Sequence, residues 1–184
     1  MPEKRELSKL IRQVQKGDLD AFGKLYDRYY NPVYAFVLHQ VAAVADAEDI
    51  TAGVFLEALE KINGFSWRGA GFEAWLFSIA RHDVLDHFRR RGRNRESAIN
   101  DRHMDIPAAK HVETTAEAAW DRQTLRDAIW QLSDDQQQVL LLKLMVNFSN
   151  GQIAAVLSKS EGAVKALQHR ALINLRKILE GNDD

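Results

Sequence analysis

The chain has no cysteine among its 184 residues. That excludes a disulfide framework, a thiolate zinc site and a cysteine nucleophile. Only three prolines and no convincing alternation of β-branched residues leave helix as the expected element throughout. No apolar run approaches the roughly 20 residues of a membrane-spanning helix. The opening MPEKRELSKL lacks the apolar core of a signal peptide, so a cytoplasmic location is expected. Neither sign of charge prevails, with 25 Lys and Arg against 26 Asp and Glu. A chain this neutral is no general polyanion binder, and any nucleic-acid site must arise from local segregation of charge. The six histidines (His39, His82, His87, His103, His111 and His169) show no metal-binding spacing, and no glycine loop suits a phosphate. No metal, no cofactor and no enzymatic activity are expected.

Segregation is present at Phe72 to Arg95. As a helix, this stretch puts Phe72, Trp75, Leu76, Ile79, Ala80, Val84 and Phe88 on one apolar face. The remainder carries Arg81, His82, His87 and then Arg89, Arg90, Arg91, Arg93 and Arg95. Six arginines stand against two aspartates, Asp83 and Asp86. Guanidinium groups neutralise phosphates and aromatic rings stack on exposed bases, so the stretch suits a nucleic acid strand. The bland alternative is a solvated basic end favoured by the helix dipole. Just before it, FSWRGAG places Phe65 and Trp67 beside Arg68. This aromatic loop either folds under to fill core or holds a flipped base.

Upstream, Leu7, Leu10, Ile11 and Val14 mark a first helix, ended by Gly17. Asp18 is placed to cap a second, with Ala21, Phe22, Leu25, Tyr26 and Tyr29 on its apolar face. Asn31 and Pro32 read as an N-cap and first-turn proline that restart the chain in a third helix. Asp46 opens the next, with Ile50, Val54, Phe55, Ala58, Leu59 and Ile62 inward. Asp46, Glu48 and Asp49 crowd its first turn, where carboxylates favour the dipole. They serve either as caps alone or as an acidic docking point for a basic partner.

After Arg95 periodicity fades. Glu96 to Thr115 reads as a linker that lets two helical domains change spacing. Beyond it, Trp120, Leu125, Ile129 and Leu132 outline one helix. Ser133 with Gln136, and Ser149 with Gln152, read as capping boxes, and Ser160 as the cap of the last helix. The two final helices fit helix-turn-helix arithmetic: Ile153, Ala154 and Leu157 inward on the first, Val164 and Leu167 inward on the second, and a short turn between. Ser158 stands where that turn usually has glycine. Five cations face one acid between Lys159 and Lys177, and Lys165, Gln168, His169 and Arg170 line the exposed face. The fold expected is all-α: two small helical domains, 1–95 and 116–184, joined by a flexible linker at 96–115, the C-terminal one a helix-turn-helix.

FGKLYDRYYNPVYAFV, DAEDITAGVFLEAL, FEAWLFSIARHDVLDHFRRR and the stretch from LSDDQQQ to LRKIL together resemble the extracytoplasmic-function group of bacterial sigma factors. The resemblance covers nearly the whole chain. It implies an RNA polymerase sigma factor that binds core polymerase, directs it to promoters and assists DNA opening. It further implies that Asp46, Glu48 and Asp49 dock on the β′ clamp helices. Phe65, Trp67 and Arg68 would belong to the loop that captures a flipped minus-ten base. Trp75, Arg81, His82, Asp86, Arg89 and Arg90 would contact the non-template strand. Ser160, Glu161, Lys165, Gln168, His169 and Arg170 would serve the minus-thirty-five element. The β flap and an anti-sigma factor are implied partners. The sequence departs from the family at Ala52 and Gly53, where Gln-Glu is frequent, at His82, where Asn is common, and at Ala166 and Leu167, where Ser-Arg is frequent. The rival reading is a helix-turn-helix regulator that is no polymerase subunit. No appended regulatory domain is expected after the last helix, which ends shortly before Asp184.

Overall fold

A computed structural model describes residues 2–41, 43–67, 69–91, 124–125 and 127–181. The chain divides into two compact units, Met1–Arg102 and His103–Asp184. The linker at 96–115, Arg68, Arg93, Arg95 and Trp120 lie outside the described residues.

Among its described residues the first unit has four α-helices, α1 (Pro2–Val14), α2 (Leu19–Val41), α3 (Val44–Lys61) and α4 (Gly71–Arg90), and a 3₁₀ turn at Ile62–Gly64. Leu7, Ile11 and Val14 of α1 are buried, and Asp18 caps α2 by accepting the Ala21 N–H at 3.0 Å. The restart expected at Asn31 and Pro32 does not occur: α2 runs through Pro32 without a break. A proline inside a helix costs about 3 kcal/mol or more through its missing donor and ring clash. Against that, Val33, Phe36, Val37, Leu38 and Val41, all downstream of Pro32, are buried. Each contributes about 1.5–3 kcal/mol if the helix stays in register. The sum outweighs the proline, and α2 stays packed on α3 and α4. Phe36, Phe72, Phe77, Leu25, Ile62 and Leu76 form the centre of this core.

Asp46 does not cap α3 either. Ala43 takes the N-cap position with no side-chain cap bond, and the Asp46 carboxylate is turned to the far end of α4.

The second unit contains helical residues at 127–130, then α5 (Asp134–Leu144), α6 (Asn150–Leu157) and α7 (Glu161–Gly181). Ala128, Ile129, Leu132 and Leu140 meet Ala171 and Leu175 of α7 in one cluster. Leu125, expected on the inward stripe of the preceding helix, is exposed. Of the two expected capping boxes only the second forms. Ser149 accepts from the Gln152 N–H while the Gln152 side chain accepts from the Ser149 N–H. Ser133 is an N-cap with no side-chain bond, and the return bond is missing as well: Gln136 is buried and its Oε1 accepts instead from Asn174 of α7 at 3.3 Å. The neighbouring Gln137, also buried, donates to the carbonyls of Trp130 (3.0 Å) and Leu132 (2.7 Å). Those carbonyls end a helical turn and would otherwise be left unpaired in the interior. All described residues are helix, turn or loop; no strand occurs among them.

Candidate nucleic-acid and polymerase surfaces

In the aromatic loop Phe65 is a hub. Its ring centroid lies 5.5 Å from Trp67, 5.6 Å from Phe72 and 5.2 Å from Trp75. Gln15, in the turn after α1, fixes the backbone here, donating to the carbonyls of Ile62 (2.9 Å) and Phe65 (3.0 Å). Gly69 and Gly71 carry φ values of +81° and +90°, a region that side-chain-bearing residues enter only with strain. They turn the loop sharply into α4. Phe65 is half-buried and packs on the buried Phe72, so it borders the core without entering it. Trp67 and Trp75 remain half-buried, so each keeps part of its ring in solvent.

Along α4, Trp75, His82, Asp86 and Arg89 recur at helical spacing on one solvent-facing side, with Arg90 beside them. His82 and the arginines Arg89 and Arg90 are exposed, while Arg81 is half-buried on a different side of the helix. The cations are not bare. Asp86 accepts from Arg89 at 2.6 Å and lies 4.0 Å from Arg90. Beneath His82, Asp83 has its carboxyl pushed above the usual range, first by burial and then by the nearby Glu57 carboxylate, with His82 opposing.

Arg91, the C-cap of α4, lies seven residues beyond the buried Val84 and so continues the inward stripe rather than the solvent face. It points to α3. Its Nη1 and Nη2 donate to the two oxygens of Asp46 at 2.8 and 2.9 Å. His87 Nε2 stands 3.6 Å from the same carboxylate, and burial pushes its pKa down, with Asp46 opposing and Arg91 reinforcing. Asp46 is thus engaged inside its own unit, whereas Glu48 and Asp49 are exposed. Sequence reasoning missed this pair because its members are 45 residues apart. The one signal in the sequence was the 3.6-residue stripe itself, which carries Arg91 inward.

In the second unit α6, a three-residue turn and α7 form the helix-turn-helix. Ile153, Ala154, Leu157, Val164 and Leu167 are buried, as their spacing predicts. Ser158 adopts φ +53°, ψ +43°, the left-handed conformation for which glycine is usual. Lys159 is tied to Asp135 of α5 at 2.8 Å. Ser160 caps α7 by accepting the Ala163 N–H at 3.2 Å. Lys165, His169 and Arg170 are exposed together, with Glu161 at the start of the same helix. Gln168 differs: it is half-buried and donates to Asn150 Oδ1 of α6 at 3.2 Å, so it bridges the two helices. Among the described residues no group of three His, Asp or Glu suits a metal ion, and no helix is long and apolar enough to cross a membrane.

Residues 25–94 match the model of sigma-70 region 2, and residues 122–175 match that of sigma-70 region 4. The chain belongs to the extracytoplasmic-function sigma factors of RNA polymerase. It is 36% identical over 179 residues to the sigma factor BldN of Streptomyces coelicolor, which covers 94% of this chain and 66% of that relative. The sigma factor therefore spans just under two thirds of BldN. It is 30% identical over 165 residues to SigX of Bacillus subtilis, covering 88% of this chain and 84% of SigX. Its fold is that of the sigma factor RpoE of Bartonella quintana, solved with the anti-sigma factor NepR. That match has a TM-score of 0.67 at 24% identity and covers 86% of this chain and 96% of that one. The all-helical fold with a C-terminal helix-turn-helix, expected from sequence, agrees with this family.

Proposed function

We propose that this sigma factor binds core RNA polymerase through the first turn of α3 and recognises promoters through two separate basic surfaces, without catalysing a reaction itself. In this reading residues 1–95 dock on polymerase and act on the minus-ten element, 96–115 link, and 116–184 read the minus-thirty-five element. Glu48 and Asp49, with Asp46, supply the acidic docking point for the β′ clamp helices, and the second unit meets the β flap. Trp67 and Trp75 offer ring faces for unstacked bases, with Arg68 and Arg81 nearby in sequence and His82, Asp86, Arg89 and Arg90 along the strand path. Phe65 packs against both rings and belongs to the same base-capturing loop. Ser160, Glu161, Lys165, His169 and Arg170 face the major groove, and Gln168 holds α7 against α6. Opening DNA costs a few kcal/mol per base step, and stacking returns about 1–3 kcal/mol per base, so two half-exposed tryptophans are of useful size. The protein works in the cytoplasm, and an anti-sigma factor is a further proposed partner, as for the RpoE chain of similar fold.

The observation that carries this reading is the pairing of a tryptophan-and-arginine helix in one unit with a helix-turn-helix in the other, inside a sigma-70 chain. A regulator using only its helix-turn-helix leaves the first surface without a role. Transcription by core polymerase on fragmented genomic DNA from the same source, with and without the chain, tests it. New transcript starts sharing two spaced upstream motifs are expected. Duplex binding without new starts would favour the plain regulator.

A further inference from the structure

The two surfaces of the first unit share one carboxylate. Asp46 stands in the acidic turn proposed to meet polymerase, yet both its oxygens accept from Arg91 at the end of the arginine helix, at 2.8 and 2.9 Å. Its side chain keeps only 18% of its surface exposed, against 49% for Arg91. Two-point pairing fixes the guanidinium and offsets its charge. A phosphate meeting Arg91 in this state meets a neutral pair. A cation of a partner meeting Asp46 meets the same neutral pair from the other side. The carboxylate cannot serve Arg91 and a partner cation with the same two oxygens.

We propose that Arg91 is a further nucleic-acid contact, held out of use by Asp46 in the free protein and released when polymerase takes that carboxylate. The inference rests on the docking role proposed above for the α3 turn. Geometry favours release over a fixed strut for two reasons. The Arg91 side of the pair is open to solvent, with 49% of that side chain exposed, so a competing ion can reach it, and the exposed Glu48 and Asp49 draw a basic partner to the same turn. Arg91 lies at the C-cap just beyond Arg89 and Arg90, so its release adds one free cation to that end of the helix. Binding free energies couple reciprocally: a polymerase that takes Asp46 must favour DNA at Arg91 by the same factor as DNA at Arg91 favours polymerase at Asp46.

The test uses the full chain in two assays. The first is binding of a single-stranded DNA oligonucleotide as salt is varied; the second is competition for core RNA polymerase. Asp46→Asn is expected to strengthen oligonucleotide binding about threefold and steepen the log–log salt slope by about 0.7, the value for one added single-strand phosphate contact. Asp46→Asn combined with Arg91→Ala should show neither change. Arg91→Ala alone should bind polymerase more tightly, again by about threefold, because Asp46 is freed. Thermal melting of each variant separates these effects from loss of fold, since a merely structural pair would lower stability without tightening any binding. An unchanged salt slope in Asp46→Asn, or polymerase binding no tighter in Arg91→Ala while wild type binds, overturns the release alone. Failure of the wild-type chain to bind polymerase overturns the proposed function, and the release with it.

Discussion

The arginine end of α4 and the exposed face of α7 look alike as strings of basic residues, but their charges are in different states. On α4, Arg89 and Arg90 share Asp86, and Arg91 is bound to Asp46. On α7, Arg176 is paired with Glu180 at 2.6 Å, whereas Lys165, Arg170 and Lys177 have no carboxylate partner among the described residues. A row of unpaired cations acts at a distance and steers a helix toward a duplex from solution. On α4 the two guanidiniums sharing Asp86 keep one net positive charge, and Arg91 with Asp46 keeps none, so this end attracts a polyanion less than its arginine count suggests. Under the proposed function, the difference would give the first encounter with DNA to the second unit and make the first unit's surface conditional on what else is bound.

The largest expected effect tests that division directly. Lys165→Ala with Arg170→Ala should weaken duplex binding tenfold or more at low salt and lower the salt slope by about 2, near 0.9 for each phosphate no longer neutralised. Arg89→Ala with Arg90→Ala, measured on the same duplex, should change binding less than threefold, while weakening promoter opening more than polymerase binding. Equal losses from the two pairs, in anisotropy titrations across salt, would erase the distinction. Next in size is Asp86→Ala. If Asp86 chiefly offsets Arg89 and Arg90, its removal should tighten single-strand binding severalfold. If it contacts a base instead, binding should weaken, and the sign alone decides.

The same contrast explains what sequence could and could not tell. Burial at Ile153, Ala154, Leu157, Val164 and Leu167, the cap at Ser160 and the second capping box follow from spacing within about ten residues, where helical period and local hydrogen bonding decide. Apart from Leu125, which is exposed where its stripe pointed inward, three failures are cases where a distant partner won. Pro32 stays inside α2 because residues beyond it are held by α3 and α4. Gln136 abandons Ser133 for Asn174 across the unit, and Asp46 abandons its own helix end for Arg91. Gln168 carries the residue type and position of a base reader, yet its amide is engaged with Asn150 on the neighbouring helix. Tertiary contact overrides local preference at each of these positions, and a single sequence carries no record of which pairs will meet.

Smaller still is the effect expected at the turn between α6 and α7. Ser158 sits at φ +53°, where a side chain costs roughly 1 kcal/mol or somewhat more. Glycine removes that strain but gives back most of it in unfolded-chain entropy. Ser158→Gly should therefore stabilise the second unit by only a few tenths of a kcal/mol in denaturant titration, and leave duplex affinity unchanged. A large drop in affinity would show that the serine hydroxyl itself serves the surface.

The smallest effect lies at His87, and it probes the clamp that sets the first unit apart. Burial lowers its pKa below the ordinary value near 6.5, with Arg91 reinforcing the shift and Asp46 opposing it. In the unfolded chain the imidazole takes up a proton as pH falls through that ordinary value; in the folded chain it resists. The unfolded state then binds more protons, so stability must fall as pH drops below about 6.5 and recover above it. His87→Gln should flatten the profile in that window. Arg91→Ala should flatten it partly, because removing the guanidinium lets the folded histidine protonate more easily beside Asp46. Asp46→Asn should steepen it, because the carboxylate that favours imidazolium is gone. Opposite signs for these two variants, read from denaturation midpoints between pH 5 and 8, would show that histidine, arginine and aspartate act as one electrostatic unit. No comparable triad occurs among the described residues on α7, so the second unit's surface should keep its cations available across the same range.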